Sequence, residues 1–149
     1  MPENLPTVLV VEDNPADRRL FEEAATEIEF PTLDFATTTM EAITFFPTRG
    51  PSDDECDGHD MPELLLLDLD IPGEGGMALL EELKTSSVPL RRVPILILSS
   101  EDDQATIDRA YDLGANAYLT KPTDYETYLE LVKEIRDFWL ARIERPSYN

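Results

Sequence analysis

Residues Glu63 to Gly76 read Glu-Leu-Leu-Leu-Leu-Asp-Leu-Asp-Ile-Pro-Gly-Glu-Gly-Gly, and this stretch decides the fold. Four consecutive leucines form a short apolar run that ends on Asp68 and is followed by a Pro-Gly break. A run this short, bounded by turn residues, favours a strand buried on both faces over a helix. Asp68 would then lie at the carboxyl end of a central strand, where open parallel α/β sheets bind their ligands.

The rest of the chain alternates between short strand-like runs and amphipathic segments. The sequence predicts strands at residues 7–11, 32–36, 63–68, 94–99 and 115–119. It predicts helices after Asn14, from Thr38 to about Phe46, from about Met77 to Thr85, from Asp102 or Asp103 to a stop at Gly114, and over residues 124–143. This alternation indicates a doubly wound five-stranded parallel sheet with helices on both faces.

Two of these helices carry apolar patterns that predict which side chains face the core. In the second helix, Met40, Ile43 and Phe46 or Phe45 lie at helical spacing, which is typical of one apolar face. In the last helix the stripe comprises Tyr128, Leu129, Val132, Ile135, Trp139 and Ile143, and Phe138 widens it. We expect the stripe mainly to pack on the sheet, and Phe138 or Tyr128, where left exposed, would form a partner or dimer surface.

Length and loop composition indicate one domain over residues 1–149, with its core at about 5–143. Residues 48–62 are rich in Gly, Pro, Ser and Asp, which is typical of a loop and is long for a strand-to-helix connection. We therefore expect an exposed acidic loop insertion at 48–62.

The charge balance restricts the classes of partner. The chain has 32 acidic and 12 basic residues and a formal net charge of -20, so nucleic acid and anionic membranes would be repelled. Divalent cations and basic protein surfaces are the favoured partners. Only three of the basic residues are lysines, namely Lys84, Lys121 and Lys133, and an acidic, lysine-poor surface is also typical of halophilic proteins. An ordinary acidic bacterial protein remains the alternative.

One cysteine, Cys56, excludes an internal disulfide and a cysteine-based metal cluster and fits a reducing compartment. The sequence has no apolar run near 18 residues and no charged-then-apolar amino terminus. We expect a soluble cytoplasmic protein.

The carboxyl ends of the predicted strands bring chemically active side chains to one edge of the sheet. These are Glu12 and Asp13, Asp68, Ser99 and Ser100, and Lys121. Crowded carboxylates repel one another unless a cation intervenes, and an oxygen-rich site of this kind suits Mg²⁺. The cation, a serine hydroxyl and a lysine could together neutralise a phosphoryl group, with Asp68 as its covalent acceptor.

Five motifs in order resemble a response-regulator receiver domain over roughly residues 5–143. They are Val-Val-Glu-Asp-Asn at 10–14, Leu-Leu-Asp-Leu-Asp-Ile-Pro at 66–72 with Gly76 eight residues beyond Asp68, Pro-Ile-Leu-Ile-Leu-Ser-Ser at 94–100, Gly-Ala-Asn-Ala-Tyr-Leu at 114–119, and Thr-Lys-Pro at 120–122. The resemblance implies a flavodoxin-like strand order, 2-1-3-4-5.

The resemblance also implies a role for each matching position. Asp68 is the phosphoacceptor, and Glu12 and Asp13 are the acidic pair that binds Mg²⁺ or Mn²⁺. The other roles are the backbone carbonyl of Asp70 as a metal ligand, Ser99 as the switch hydroxyl, Tyr118 as the switch aromatic, Lys121 as the conserved lysine, and Pro122 as the site of a cis peptide bond.

The resemblance further implies partners. The chain would accept its phosphoryl group from a sensor histidine kinase and pass the signal to a downstream protein through the fourth helix, fifth strand and fifth helix. The same face is a candidate homodimer surface. The stretch 84–94 and the terminal Asp-Phe-Trp-Leu at 137–140 resemble stand-alone regulators paired with phytochrome-type kinases. The long loop at 48–62 departs from the family pattern.

Two other functions compete with this interpretation. Asp68-Leu-Asp70 after an apolar strand resembles the nucleophile loop of haloacid-dehalogenase-type phosphatases, although that loop follows their first strand and Pro72 is atypical of it. A receiver-like binding module that is never phosphorylated is the second alternative, and the presence of acceptor, acidic pair, hydroxyl and lysine disfavours it.

Overall fold

The computed structural model describes residues 7–30, 32–45, 62–69, 75–85 and 92–141. Nearly all of the predicted acidic loop at 48–62 lies outside these ranges, as do Asp70 and Ile143. No helix in the described part of the chain has the length and apolar character needed to cross a membrane.

Strands and helices alternate along the described chain, as the sequence predicts. The strands are β1 (Thr7–Val11), β2 (Thr32–Ala36), β3 (Leu64–Asp68), β4 (Ile95–Ser99) and β5 (Ala117–Thr120). The helices are α1 (Pro15–Glu27), α2 (Thr39–Ile43), α3 (Gly76–Lys84), α4 (Gln104–Asp112) and α5 (Tyr125–Glu134), and α5 continues as a π-helical segment, Ile135–Leu140. All strand pairs are parallel in the order β2-β1-β3-β4-β5, which confirms the predicted fold class and strand order.

The leucine run is the centre of the sheet. All five residues of β3 are buried, and alternate leucines enter different cores because successive side chains of a strand point to opposite faces. Leu64 and Leu66 pack with residues of α1 and α5, whereas Leu65 and Leu67 pack with residues of α3 and α4. Helices therefore cover both faces of the sheet, as the sequence predicts.

Helix α1 begins directly after Asn14, the residue predicted to cap it. The Asn14 side chain accepts hydrogen bonds from the backbone N–H groups of Ala16, at 2.8 Å, and Asp17, at 3.1 Å. Pro15 occupies the first helical position, where a missing N–H costs nothing. This cap fixes the first turn of α1 directly after the acidic pair Glu12 and Asp13.

The apolar pattern of the second helix is only partly reflected in burial, because Phe45 packs against the core but Met40 and Ile43 are exposed. Met40 is 79% exposed and Ile43 is 38% exposed, whereas Thr39 and Ala42 are buried. The helix has only five residues, and Thr38 caps it by accepting from the Glu41 N–H at 3.0 Å. The cap sets the rotation of this short helix and turns the Thr39 side toward the sheet.

The last helix departs from the regular spacing predicted for it. From Ile135 it becomes π-helical, so each turn is wider than in an α-helix. Leu140, five residues beyond Ile135, is consequently buried, and Trp139 is only partly buried. Tyr128 is 1% exposed, so of the aromatic rings considered for a partner surface Phe138, at 48% exposure, is the exposed one.

Gly114 ends α4, as predicted, and packs against a lysine. Its φ of +113° is a backbone conformation that residues other than glycine rarely adopt. A Cβ at this position would lie 2.6 Å from Cγ of Lys84. The Lys84 ammonium in turn donates to the Val93 carbonyl, at 2.9 Å, and to Oδ1 of Asn116, at 3.3 Å, which holds the lysine stem against the glycine.

Candidate functional site

Three carboxylates meet at the carboxyl edge of the sheet. Val11 pairs with Leu67 across β1 and β3, so the next residues on the two strands, Glu12 and Asp68, are neighbours. One oxygen from each of Glu12, Asp13 and Asp68 lies within 4.8 Å of the other two. Glu12 and Asp68 are buried and Asp13 is half-buried, so the structure brings together the carboxylates that the sequence singled out.

Gly76 allows the chain after β3 to close against this cluster. A Cβ on Gly76 would lie 2.7 Å from Cα of Leu69 and 2.9 Å from the carbonyl oxygen of Asp68. Neither backbone atom can move without displacing Asp68. The glycine eight residues beyond Asp68 is therefore explained by the close approach of α3 to the end of β3.

Lys121 lies among the carboxylates and forms three ion pairs. Its ammonium is 2.8 Å from Oε1 of Glu12, 2.9 Å from Oδ2 of Asp68 and 3.0 Å from Oδ2 of Asp17. The Lys121 backbone N–H donates to the Ser99 carbonyl at 2.9 Å, which anchors the lysine to the end of β4.

The expectation of a cis peptide bond between Lys121 and Pro122 is wrong. The described backbone contains no cis peptide bond, so Lys121 reaches the site from a trans peptide. A trans X–Pro bond is the more stable isomer by about 0.5–1 kcal/mol, and here the lysine makes its contacts without the cis form.

Asp17 is the site residue that sequence reasoning missed. It lies in the first turn of α1, four residues beyond Asp13 in the chain. That spacing was a usable signal, because an acidic residue in this turn lies at the same edge of the sheet as the strand ends. Its contact with Lys121 also depends on how α1 rotates against the sheet, which the sequence does not state.

The protonation of the site reflects burial first and the neighbouring charges second. Burial, followed by a side-chain hydrogen bond to Asp68, raises the pKa of Glu12 from 4.5 to about 7, and the Lys121 ammonium opposes this rise only partly. Burial alone would lower the pKa of Lys121, but its hydrogen bonds to Glu12, Asp68 and Asp17 outweigh burial and raise it. Lys121 is thus held charged, while Glu12 is poised to gain or lose a proton near neutral pH.

This donor set fits a hard divalent cation. All three side chains supply carboxylate oxygens, which are the ligands that Mg²⁺ and Mn²⁺ prefer. Burial, followed by the contact with Asp68, raises the pKa of Glu12, and a cation bound here would favour its charged form. Asp70, whose backbone carbonyl is the fourth expected ligand, lies outside the described residues. Among the residues that are described, no second cluster of this kind is found.

Ser99 and Tyr118 are linked through the backbone of Glu101. Ser99 is fully buried at the end of β4, and its Oγ accepts from the Glu101 N–H at 3.0 Å. The Tyr118 hydroxyl donates to the Glu101 carbonyl at 2.7 Å. The two predicted switch residues are therefore hydrogen-bonded to the same residue, Ser99 to the Glu101 N–H and Tyr118 to the Glu101 carbonyl. Sequence reasoning did not single out Glu101, because its contribution comes from backbone atoms.

The chain matches known proteins over nearly its whole length. The profile of the response regulator receiver domain matches residues 8–133. Response regulator Rcp1 of Synechocystis sp. is 30% identical over 144 residues, which cover 94% of this chain and 92% of the relative.

Solved structures show the same similarity. The phosphorylated cyanobacterial phytochrome response regulator RcpA has a TM-score of 0.80 at 33% identity, over 95% of this chain and 99% of that one. The Mn²⁺-bound form of response regulator Rcp1 has a TM-score of 0.77 at 28% identity, over the same shares of the two chains.

Proposed function

The chain belongs to the response regulator receiver domain family, and from this premise we propose that Asp68 accepts a phosphoryl group from the phosphohistidine of a sensor histidine kinase. The observation that carries the proposal is the environment of Asp68. This carboxylate is 3% exposed, lies 2.9 Å from the Lys121 ammonium, and shares a cluster with Glu12 and Asp13.

In the proposed reaction an oxygen of Asp68 attacks phosphorus and a P–O bond forms. The P–N bond to the kinase histidine breaks, its electron pair stays on the imidazole nitrogen, and that nitrogen takes a proton from solvent. The product is an acyl phosphate on Asp68, and hydrolysis of this group by water ends the signal. The proposed chemistry is limited to the protein's own phosphorylation and dephosphorylation.

The surrounding residues neutralise the charge of the transferred group. Lys121 already touches Asp68 and would donate to one phosphoryl oxygen, and Ser99 would donate its hydroxyl proton to another. Glu12, Asp13, Asp68 and the Asp70 carbonyl would hold Mg²⁺ or Mn²⁺. Such an ion would supply charge neutralisation and positioning, which are the main requirements of phosphoryl transfer.

The output of the switch would run through Glu101. If Ser99 turns its hydroxyl toward a phosphoryl oxygen, its bond with the Glu101 N–H changes, and Tyr118 is hydrogen-bonded to the same residue. A two-state movement of this segment would alter the face formed by α4, β5 and α5, where a downstream protein would bind. Similarity to a phytochrome response regulator supports a phytochrome-type kinase as the partner.

The same face is our candidate for contact with a second copy of the chain. Phe138 is 48% exposed, and its ring packs edge-on against Trp139 with centroids 5.7 Å apart. Sedimentation velocity of the wild type and of Phe138→Ser tests this surface. A dimer that weakens in the variant supports it, and a dimer of unchanged affinity contradicts it.

The phosphatase alternative receives no support. Asp68 ends β3, the third strand along the chain, whereas the phosphatase loop follows the first strand. An experiment distinguishes our proposal from the second alternative, a binding module that is never phosphorylated. The wild type is incubated with acetyl phosphate and Mg²⁺ in high salt, and its intact mass is measured.

We expect the wild type to gain the mass of one phosphoryl group, and a chelator to prevent the gain. Asp68→Asn should stay unmodified, whereas Asp112→Asn, which alters an exposed carboxylate at the end of α4, should be modified like the wild type. An unmodified wild type would show that the chain is a binding module only.

A further inference from the structure

We propose that Asp17 is a positioning residue that holds the Lys121 ammonium against the acceptor carboxylate of Asp68. The inference rests on the proposed function, because it concerns the rate at which Asp68 is phosphorylated. Its starting point is the ion pair between Asp17 Oδ2 and the Lys121 ammonium at 3.0 Å.

The three ion pairs use the full donor capacity of the lysine. An ammonium group has three N–H donors, and Glu12, Asp17 and Asp68 supply three carboxylate acceptors at 2.8–3.0 Å. Lys121 touches Asp17 and Asp68 at the same time. The contact with Asp17 therefore keeps the ammonium at the acceptor oxygen and does not draw it away.

Asp17 is itself held in place from two sides. Its backbone N–H donates to Oδ1 of Asn14 at 3.1 Å, which fixes the first turn of α1. On the other side lies the buried hydroxyl of Tyr128 in α5. Burial and the negative charge of Asp17 raise the pKa of the Tyr128 hydroxyl, so the phenol stays protonated and can donate to the carboxylate.

Asp17 differs from the other two partners of Lys121 because it is outside the carboxylate cluster that suits a cation. Glu12 and Asp68 belong to that cluster, so they serve two functions, whereas the Asp17 carboxylate pairs with the lysine without belonging to the cluster. A lysine side chain loses rotamer freedom when it is fixed. The contact with Asp17 restricts that freedom before the phosphoryl donor arrives.

The test compares Asp17→Asn with Glu22→Gln. Both substitutions remove one negative charge from α1, but Glu22 is exposed on the helix surface. With acetyl phosphate and saturating Mg²⁺, we expect Asp17→Asn to slow the gain of phosphoryl mass roughly fivefold to tenfold, since a hydrogen bond between charged groups is lost in a partly exposed position. Glu22→Gln should keep the wild-type rate within about twofold.

Two further measurements distinguish positioning from a structural role. The affinity for Mn²⁺, measured from the stabilisation that the ion gives against urea, should be the same in Asp17→Asn and wild type within about twofold. The ¹⁵N-detected ammonium signal of Lys121 should exchange slowly with water in the wild type and be lost in Asp17→Asn. With three lysines in the chain, this signal can be assigned by substitution.

The outcomes separate this inference from the function on which it rests. If the wild type gains no phosphoryl mass, the proposed function fails, while the ammonium signal still reports the contact with Asp17. A phosphorylation rate in Asp17→Asn that equals or exceeds the wild-type rate overturns the inference. A fall in Mn²⁺ affinity as large as the fall in rate also overturns it, because Asp17 would then be acting on the cation.

Discussion

The protonation of Glu12 gives a quantitative prediction for the stability of the cation-free protein. Its pKa is 4.5 in an ordinary setting and about 7 in the folded chain, with burial as the largest cause. The folded state therefore binds a proton more tightly than the unfolded state between these two pH values. Stability from this group is fully present below pH 4.5 and is lost as pH rises through about 7.

Glu12→Gln removes this dependence because glutamine resembles the protonated side chain and keeps oxygen as an acceptor. A change in pKa from 4.5 to about 7 corresponds to about 3 kcal/mol. We expect the variant to be more stable than wild type by up to about 3 kcal/mol at about pH 8, and by much less at about pH 5. Urea unfolding with a chelator present, followed by circular dichroism, measures the difference.

The matched control is Glu22→Gln, which removes an equal charge from an exposed position of α1. Its effect should stay within about 0.5 kcal/mol at every pH. The reasoning is refuted if Glu12→Gln is no more stable than wild type at about pH 8, or if its advantage does not shrink toward about pH 5. Mg²⁺ should stabilise the wild type increasingly as pH rises, because a carboxylate must lose its proton to bind the ion.

Two further predictions concern the scaffold and the charge. Gly114→Ala should destabilise the fold by about 3 kcal/mol, because its φ is positive and its Cβ would clash with Lys84. In a Lys84→Ala background, thermal unfolding should show a smaller loss of stability. An equal loss of stability would exclude the clash. Lowering KCl should lower the unfolding midpoint, because salt screens repulsion among 32 acidic and 12 basic residues; an unchanged midpoint would reject the halophilic interpretation.

Much of the scaffold follows from local pattern. The predicted boundaries of β1 and β2 agree with the structure, and β3 begins one residue later than predicted, at Leu64. These strands are mainly apolar or β-branched runs bounded by turn residues, so the sequence alone predicts where they begin and end. Strand order then brings Glu12, Asp13 and Asp68 together, because carboxyl ends of parallel strands share one edge.

The parts that sequence did not predict depend on tertiary packing. Met40 has helical spacing, yet the rotation of a five-residue helix is set by its cap and by the sheet beneath it. The π-helical turn that buries Leu140 likewise has no simple periodic signal. Asp17 reaches Lys121 only because α1 packs beside α5 with one particular rotation.

The central claim is that Asp68 itself carries the phosphoryl group, and chemical trapping tests it most directly. Sodium borohydride reduces an aspartyl phosphate to homoserine, so the modified residue can be located by peptide mass spectrometry. After incubation with acetyl phosphate and Mg²⁺, we predict homoserine at position 68 and unmodified aspartate at Asp13. Homoserine at position 13, or unmodified Asp68 in protein that has gained phosphoryl mass, would contradict the account.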